Sequence, residues 1–305
     1  MKVFTQVRAL CADRPLFVLG HDTPDADTVL ATGIFCRAAR QAGIDARPVS
    51  TGIPDRESCA VVRKCGVETT AWPAAESLRP GDLLFLVDCR ETPHPGTVVG
   101  CVDHHPTDAV PSYAVAVIER ASSAALMIYR QAVREGIALP DDCELIALRS
   151  VYADTESLLS PKFLPSDRPF IDRTIAKYGL SEEELIRDGL CFSDLTLPPE
   201  RLAVGGLKYH TLTDANGTSH PAASSHIEAE GVTDELIGRC LDVLADLRVR
   251  EGKELWVLIV VEPLSHRSRV WELTDSGVGM TAFDRFISRS VDVLPALERK
   301  YRSIR

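Results

Sequence analysis

Asp103-His104-His105 puts a carboxylate and two imidazoles on one short stretch, and five further groups of the same chemistry accompany it. His21, Asp25 and Asp27 lie in GHDTPDAD, Asp88 ends LLFLVD, and Asp154 falls in VYADTES. Oxygen and nitrogen ligands without thiolate suit two divalent ions, manganese first, with cobalt or magnesium as replacements. Two ions about 3.5–4 Å apart lower the pKa of a bridging water and stabilise both attacking and leaving oxygens. The chemistry indicated is hydrolysis of a phosphate compound.

Spacing sharpens that reading residue by residue. Asp25 and Asp27 stand two apart behind Pro24, so they can face two different ions. Asp27 is equally placed to cap a helix beginning at residue 28. Adjacent side chains in an extended segment point opposite ways, so one of His104 and His105 can bind metal while the other faces substrate, with Asp103 orienting a ring. Asp88 alone would be an ordinary first polar residue after a strand, and Asp154 an ordinary acid at a helix end. Their company argues for a ligand role.

For these groups to meet, the chain must carry them to one edge. LFVLG (16–20), LLFLVD and VVGCVD read as apolar strands, each with candidate ligands at or just past its end. Further strands are expected at 47–51 and 113–119, and helices at 28–43 and 55–65. Helical patterns dominate from 122, in SSAALMIYRQAVREG, ELIALRSVYADTES and the segments 167–178 and 181–189. Such alternation implies an α/β, doubly wound, mainly parallel sheet. Ligands in that architecture bind outside the carboxyl ends of the strands.

Pro198-Pro199 marks a boundary. We expect a catalytic domain at 1–190, a linker at 191–200 and a smaller α+β domain at 201–305, with the active site in the cleft between them. The second domain reads as a strand in RLAVGGLKYHTL, a turn, the segment AASSHIEAE and a helix capped by Thr233 that ends near Arg250. The strands LWVLIVVEP and RVWELT and a terminal helix in VLPALERKYRS follow.

Net charge is −10, from 34 basic and 44 acidic residues. That argues against an extended nucleic-acid partner, which needs a basic face, and for a small anionic substrate held by metals and a few cations. The longest apolar run, near 255–261, falls far short of the roughly 18 residues of a membrane span. Nine scattered cysteines without a Cys-x-x-Cys pair read as reduced thiols, and the start of the chain shows no signal peptide, so a cytoplasmic protein is expected.

In order and content the motifs resemble the DHH phosphoesterase superfamily, in the branch of family II manganese-dependent inorganic pyrophosphatases and exopolyphosphatases. YADTESLLSPKF is similar to that branch's Ser-Asp-Thr…Ser-Pro motif. GGLKYH looks like its substrate-lysine segment, and SRSVDVLP looks like its final motif in a DHHA2-type second domain. The resemblance implies one metal held by His21, Asp25 and Asp88, and a second held by Asp27, Asp88, His104 and Asp154, with Asp88 bridging. His105, Asp103 and Asp88 would then be the catalytic group. His105, Lys208 and Arg289 would contact phosphate, and the protein would be a homodimer through its N-terminal sheet.

Three departures bear on the substrate. Thr23-Pro24-Asp25-Ala26-Asp27 stands for Asn-Pro-Asp-Thr-Asp, Cys89-Arg90-Glu91 for His-Asn-Glu after the bridging aspartate, and Ser290 and Val291 for two lysines after the arginine. Arg90 can restore a substrate-facing cation or be a solvated surface arginine. The leading expectation is a hydrolase of phosphoanhydride bonds in pyrophosphate or short polyphosphate. The alternatives are a phosphodiesterase on small nucleotides and a non-catalytic regulatory relative. NGTSHPAASS only faintly echoes the glycine-rich loop of the phosphodiesterase branch. His94, His210, His226 and His266 sit in no motif and read as surface or structural residues.

Overall fold

Every residue of LLFLV is buried, as a strand covered on both faces demands. In the computed structural model, which describes residues 2–54, 56–105, 111–190 and 193–303, that strand is central to the first of two units, Met1–Cys191 and Phe192–Arg305. The first unit runs α1 (Val3–Cys11), β1 (Leu16–Leu19), α2 (Ala26–Gln41), β2 (Ala46–Pro48), α3 (Arg56–Lys64), β3 (Leu83–Val87), β4 (Thr97–Asp103) and β5 (Val115–Ile118). Four helices follow: α4 (Ala124–Arg134), α5 (Asp142–Asp154), α6 (Arg168–Tyr178) and α7 (Glu182–Leu190).

The sheet order is β2-β1-β3-β4-β5, and every pairing is parallel. From β1 the chain steps outward to β2, whereas from β3 it steps the other way to β4. The direction of winding therefore switches between β1 and β3, which opens a crevice at their carboxyl ends. One core lies against α2 and α5, where Phe35 stacks on Phe85 with ring centroids 4.3 Å apart. A second, with Leu19, Leu84, Leu86 and Cys101, fills the opposite face.

The second unit runs α8 (Pro199–Leu202), β6 (Lys208–Thr213), β7 (Ser219–Glu228), α9 (Asp234–Arg250), β8 (Leu255–Glu262), β9 (Arg267–Thr274), β10 (Gly277–Phe283), a π-helical turn (Arg289–Val293) and α10 (Leu294–Arg302). Its sheet, β10-β9-β8-β7-β6, is mixed, with only the β7–β8 pairing parallel. The Thr233 side chain caps α9 as expected, accepting from the Leu236 N–H at 3.2 Å. Trp256 anchors the core and donates its indole N–H to Ser225 Oγ at 2.8 Å.

Two local expectations change, and two elements were not foreseen. The helix expected from residue 28 starts at Ala26, because Asp25 and not Asp27 is its cap. RLAVGGLKYHTL is not one strand: Gly205 and Gly206, the latter at φ 55°, separate α8 from β6. The sequence reading passed over α1, whose buried Val3, Phe4, Val7 and Cys11 form one helical face. It also passed over β10, where GVGMTAF is exposed along nearly its whole length and so lacks an apolar alternation. Asp55 and Cys191, at the edges of an expected helix and the expected linker, lie outside the described residues. Among the described residues no helix is long and apolar enough to cross a membrane, and the cysteines are free thiols.

Candidate metal centre

Gly20 ends the path of β1. A Cβ there would lie 2.1 Å from Thr28 Cγ2, so glycine lets the strand pass the first turn of α2 and deliver His21 into the crevice. Asp25 accepts the Thr28 N–H at 3.0 Å through Oδ1. Asp27, inside the first turn, points the other way. Its carboxylate accepts the Ala124 and Ala125 N–H groups at 2.6 and 3.0 Å, at the start of α4, and the Ser150 hydroxyl at 2.6 Å.

Asp88 follows β3 at φ 59°, in the left-handed region that aspartate tolerates better than most residues. Its N–H still donates to the Val102 carbonyl at 2.9 Å, so the strand edge holds while the side chain turns. Thr28 Oγ1 donates to Asp88 Oδ2 at 2.7 Å. The same oxygen lies 3.5 Å from His21 Nε2, and Asp88 Oδ1 lies 3.2 Å from His104 Nε2. One carboxylate thus offers a different oxygen to each side of the crevice.

His104 Nδ1 lies 3.0 Å from the Ala121 carbonyl. A carbonyl only accepts, so Nδ1 carries the proton, and Nε2 faces Asp27 and Asp154 oxygens, both at 3.6 Å. His105 donates Nδ1–H to Asp103 Oδ1 at 2.7 Å, and the same nitrogen lies 3.7 Å from Asp88 Oδ1. Arg90 sits on the far side of Asp103, with Nη1 3.3 Å from Oδ2, and donates to the His105 carbonyl at 3.1 Å. Arg90 is therefore drawn in to brace the Asp-His-His segment.

Asp154 is the last residue of α5. Beyond it Glu156, Ser157 and Leu158 all take left-handed backbone angles, at φ 51°, 57° and 65°. Buried Thr155 pins this turn, donating to the Val151 carbonyl at 2.6 Å and accepting the Leu158 N–H at 3.0 Å. Such conformations cost roughly 1–3 kcal/mol each and cluster at functional sites. The turn returns the chain so that Lys162 Nζ donates to Asp154 Oδ1 at 2.7 Å.

The geometry brings ligand atoms together in three overlapping groups: His21, Asp25 and Asp88; Asp27, His104 and Asp154; and Asp88, His104 and His105. Within each group the atoms lie within 4.8 Å of one another. Asp88 Oδ1, His104 Nε2 and Asp154 Oδ2 are buried there without a hydrogen-bond partner, which is costly unless a cation satisfies them. The donor set and these orphaned atoms fit divalent ions.

Electrostatics agree. Burial alone would lower the pKa of His21, but hydrogen bonds and charges from Asp25 and Asp88 outweigh it and raise it to about 10. His104 is likewise raised to about 10 against burial, by Asp88, Asp27 and Asp154. Burial, then the charges of Asp88 and Asp154, pushes Asp27 up to about 8, while its three N–H and O–H donors favour the carboxylate. Asp88 is held well below the carboxylate range despite burial, chiefly by His104 and His21. A bound cation would take over this neutralising role.

Sequence reasoning overlooked Thr28, Ser150 and Lys162. The first two are ordinary helix residues until the fold places them; Lys162 lay within the quoted SPKF segment. Lys208 and Arg289 belong to the second unit. There Arg289 donates to the Gly206 carbonyl, and both charges help keep His210 below its usual pKa, after burial. Of the other motif-free histidines, His94 pairs with Asp22 and His226 with Glu228 at 3.0 Å. The side chain of Ser290 lies outside the described residues.

Residues 15–152, all within the first unit, match the DHH family, N-terminal domain. A probable manganese-dependent inorganic pyrophosphatase of Streptococcus agalactiae is 28% identical over 180 residues, 55% of this chain and 57% of that protein. One from Streptococcus mutans is 28% identical over 172 residues, 53% of this chain and 54% of that one. The chain thus spans little more than half the length of these relatives. A Methanococcus jannaschii protein, described as a "putative family II inorganic pyrophosphatase", superposes with a TM-score of 0.61 at 21% identity. That superposition covers 94% of this chain and 99% of the other, and it is a likeness of fold.

Proposed function

We propose that this chain is a metal-dependent hydrolase of phosphoanhydride bonds, acting on inorganic pyrophosphate or short polyphosphate. The observation that carries this is the set of three overlapping ligand groups, two containing Asp88 and two containing His104, with Asp88 Oδ1, His104 Nε2 and Asp154 Oδ2 buried among them without a hydrogen-bond partner. The names of the curated relatives give the same reaction class.

His21, Asp25 and Asp88 would hold one ion, and Asp27, Asp88, His104 and Asp154 the other. Bound there, the pair would supply an activated water and charge neutralisation at the phosphoryl group. The chain's own groups do the rest. Asp103, braced by Arg90, fixes the His105 ring through Nδ1–H and, with the charge of Asp88, favours the protonated ring, so that Nε2–H would donate to a phosphate oxygen. Asp27 is held by the α4 amides and Ser150 and keeps its place when charge moves. Lys208 and Arg289 are proposed as phosphate cations on the family resemblance alone.

A phosphate-release screen with manganese across pyrophosphate, tripolyphosphate, nucleotides and dinucleotides tests the proposal. Turnover of pyrophosphate or tripolyphosphate that is lost in Asp88→Ala is expected. Mononucleotide release from dinucleotides without anhydride cleavage would replace it with a phosphodiesterase, and no turnover with bound metal would contradict it.

A further inference from the structure

The geometry points to Lys162 as a phosphate-binding cation that the first unit carries beside its own metal centre. The inference rests on the proposed phosphate chemistry but concerns a residue to which no role has been given above. Asp154 divides its two oxygens: Oδ2 faces His104 and has no hydrogen-bond partner, while Oδ1 takes the Lys162 ammonium at 2.7 Å. The ammonium therefore stands across one carboxylate from the position an ion would occupy. An ammonium donates to phosphoryl oxygens as strongly as to carboxylates, so Nζ can exchange one acceptor for the other.

Two further observations point the same way. The Lys162 side chain is 49% exposed, so its tip has solvent on one side and room to exchange Asp154 for a ligand oxygen. The left-handed turn at 156–158 directs the chain back to the centre, and strain of that kind is maintained where position matters. By contrast Arg90, a second cation near the centre, is engaged by both Asp103 and the His105 carbonyl. An exposed lysine and a doubly engaged arginine divide the work: Arg90 positions, and Lys162 binds.

The test uses the full chain loaded with manganese. Binding of inorganic phosphate and of Mn2+ is measured by calorimetry for wild type, Lys162→Met and Lys162→Arg, beside KM and kcat for pyrophosphate and tripolyphosphate. In Lys162→Met, phosphate affinity falls and KM rises by about tenfold or more, as loss of one charge-assisted hydrogen bond requires. Mn2+ affinity holds or rises, because a competing cation has gone, and Lys162→Arg restores most of the phosphate affinity. Weakened Mn2+ binding with unchanged phosphate affinity would reduce Lys162 to a prop for Asp154 and overturn the inference. So would a metal-loaded wild type that binds no phosphate. Lys162-dependent phosphate binding without hydrolysis of either anion would instead refute the proposed reaction and leave this role standing.

Discussion

The two sides of the candidate centre are built differently. On the outer side, the side chains of His21 and Asp25 are 28% and 46% exposed. On the inner side, Asp27, His104 and Asp154 are exposed by 1%, 5% and 6%. Two of the inner ligands are also held from behind: Asp27 by two α4 amides and Ser150, and His104 by the Ala121 carbonyl. Asp25 is held by one bond, its cap to Thr28. A buried ligand with every other contact made has one geometry; an exposed ligand has several. On the proposed two-ion reading the inner group would be the preorganised, tighter site and the outer one the exchangeable site, with Asp88 common to both.

Removing the common ligand should have the largest effect. Asp88→Ala is expected to bring phosphate release down to the uncatalysed rate and to abolish paired Mn2+ binding, both measurable on one preparation. Splitting the sides comes next. Asp27→Asn turns an amide N–H2 toward the α4 amides and Ser150, so activity and inner-ion binding should both be lost. Asp25→Asn keeps the cap and most of the outer site, so excess Mn2+ should restore much of its activity in a metal titration. Equal losses in the two variants would erase the distinction between the sides.

Ser150→Ala probes the support alone. It removes one bond to Asp27 without touching a ligand, so metal affinity should fall by roughly 10–100-fold while saturating Mn2+ recovers turnover. The smallest effect is a pH dependence. His21 and His104 stand near 10 in the metal-free protein against an ordinary 6.5. Their contribution to folding is fully present below pH 6.5 and is lost as pH climbs toward 10. Mn2+ binding displaces those protons and so strengthens over the same range. The increase in Tm on adding Mn2+ should therefore be larger near pH 9 than near pH 6.5, as differential scanning fluorimetry would register.

The outer frame of this site could be read from the chain because parallel strands buried on both faces must be apolar runs. LLFLVD and VVGCVD announce both their strands and their terminal aspartates. The motifs likewise anticipated that His21, Asp25, Asp27, Asp88, His104 and Asp154 would be neighbours. Supporting contacts were hidden, since Ser150 lies 123 residues from Asp27 and is an unremarked serine in α5. Capping was misplaced by two residues because Asp25 and Asp27 are both acceptable caps by type, and only the backbone at Asp25 chooses between them. Lys162 was passed over because a surface lysine usually has no task. Its approach to Asp154 depends on three successive left-handed residues that nothing in Glu156-Ser157-Leu158 foretells.

The central claim is a centre of two ions bridged by one carboxylate, and Mn2+ titration followed by electron paramagnetic resonance tests it most directly. Two ions per chain with a spin-coupled spectrum are expected in the wild type, the inner ion filling first, with the coupling absent in Asp88→Ala. A single uncoupled ion at saturation, or coupling that survives Asp88→Ala, would contradict it.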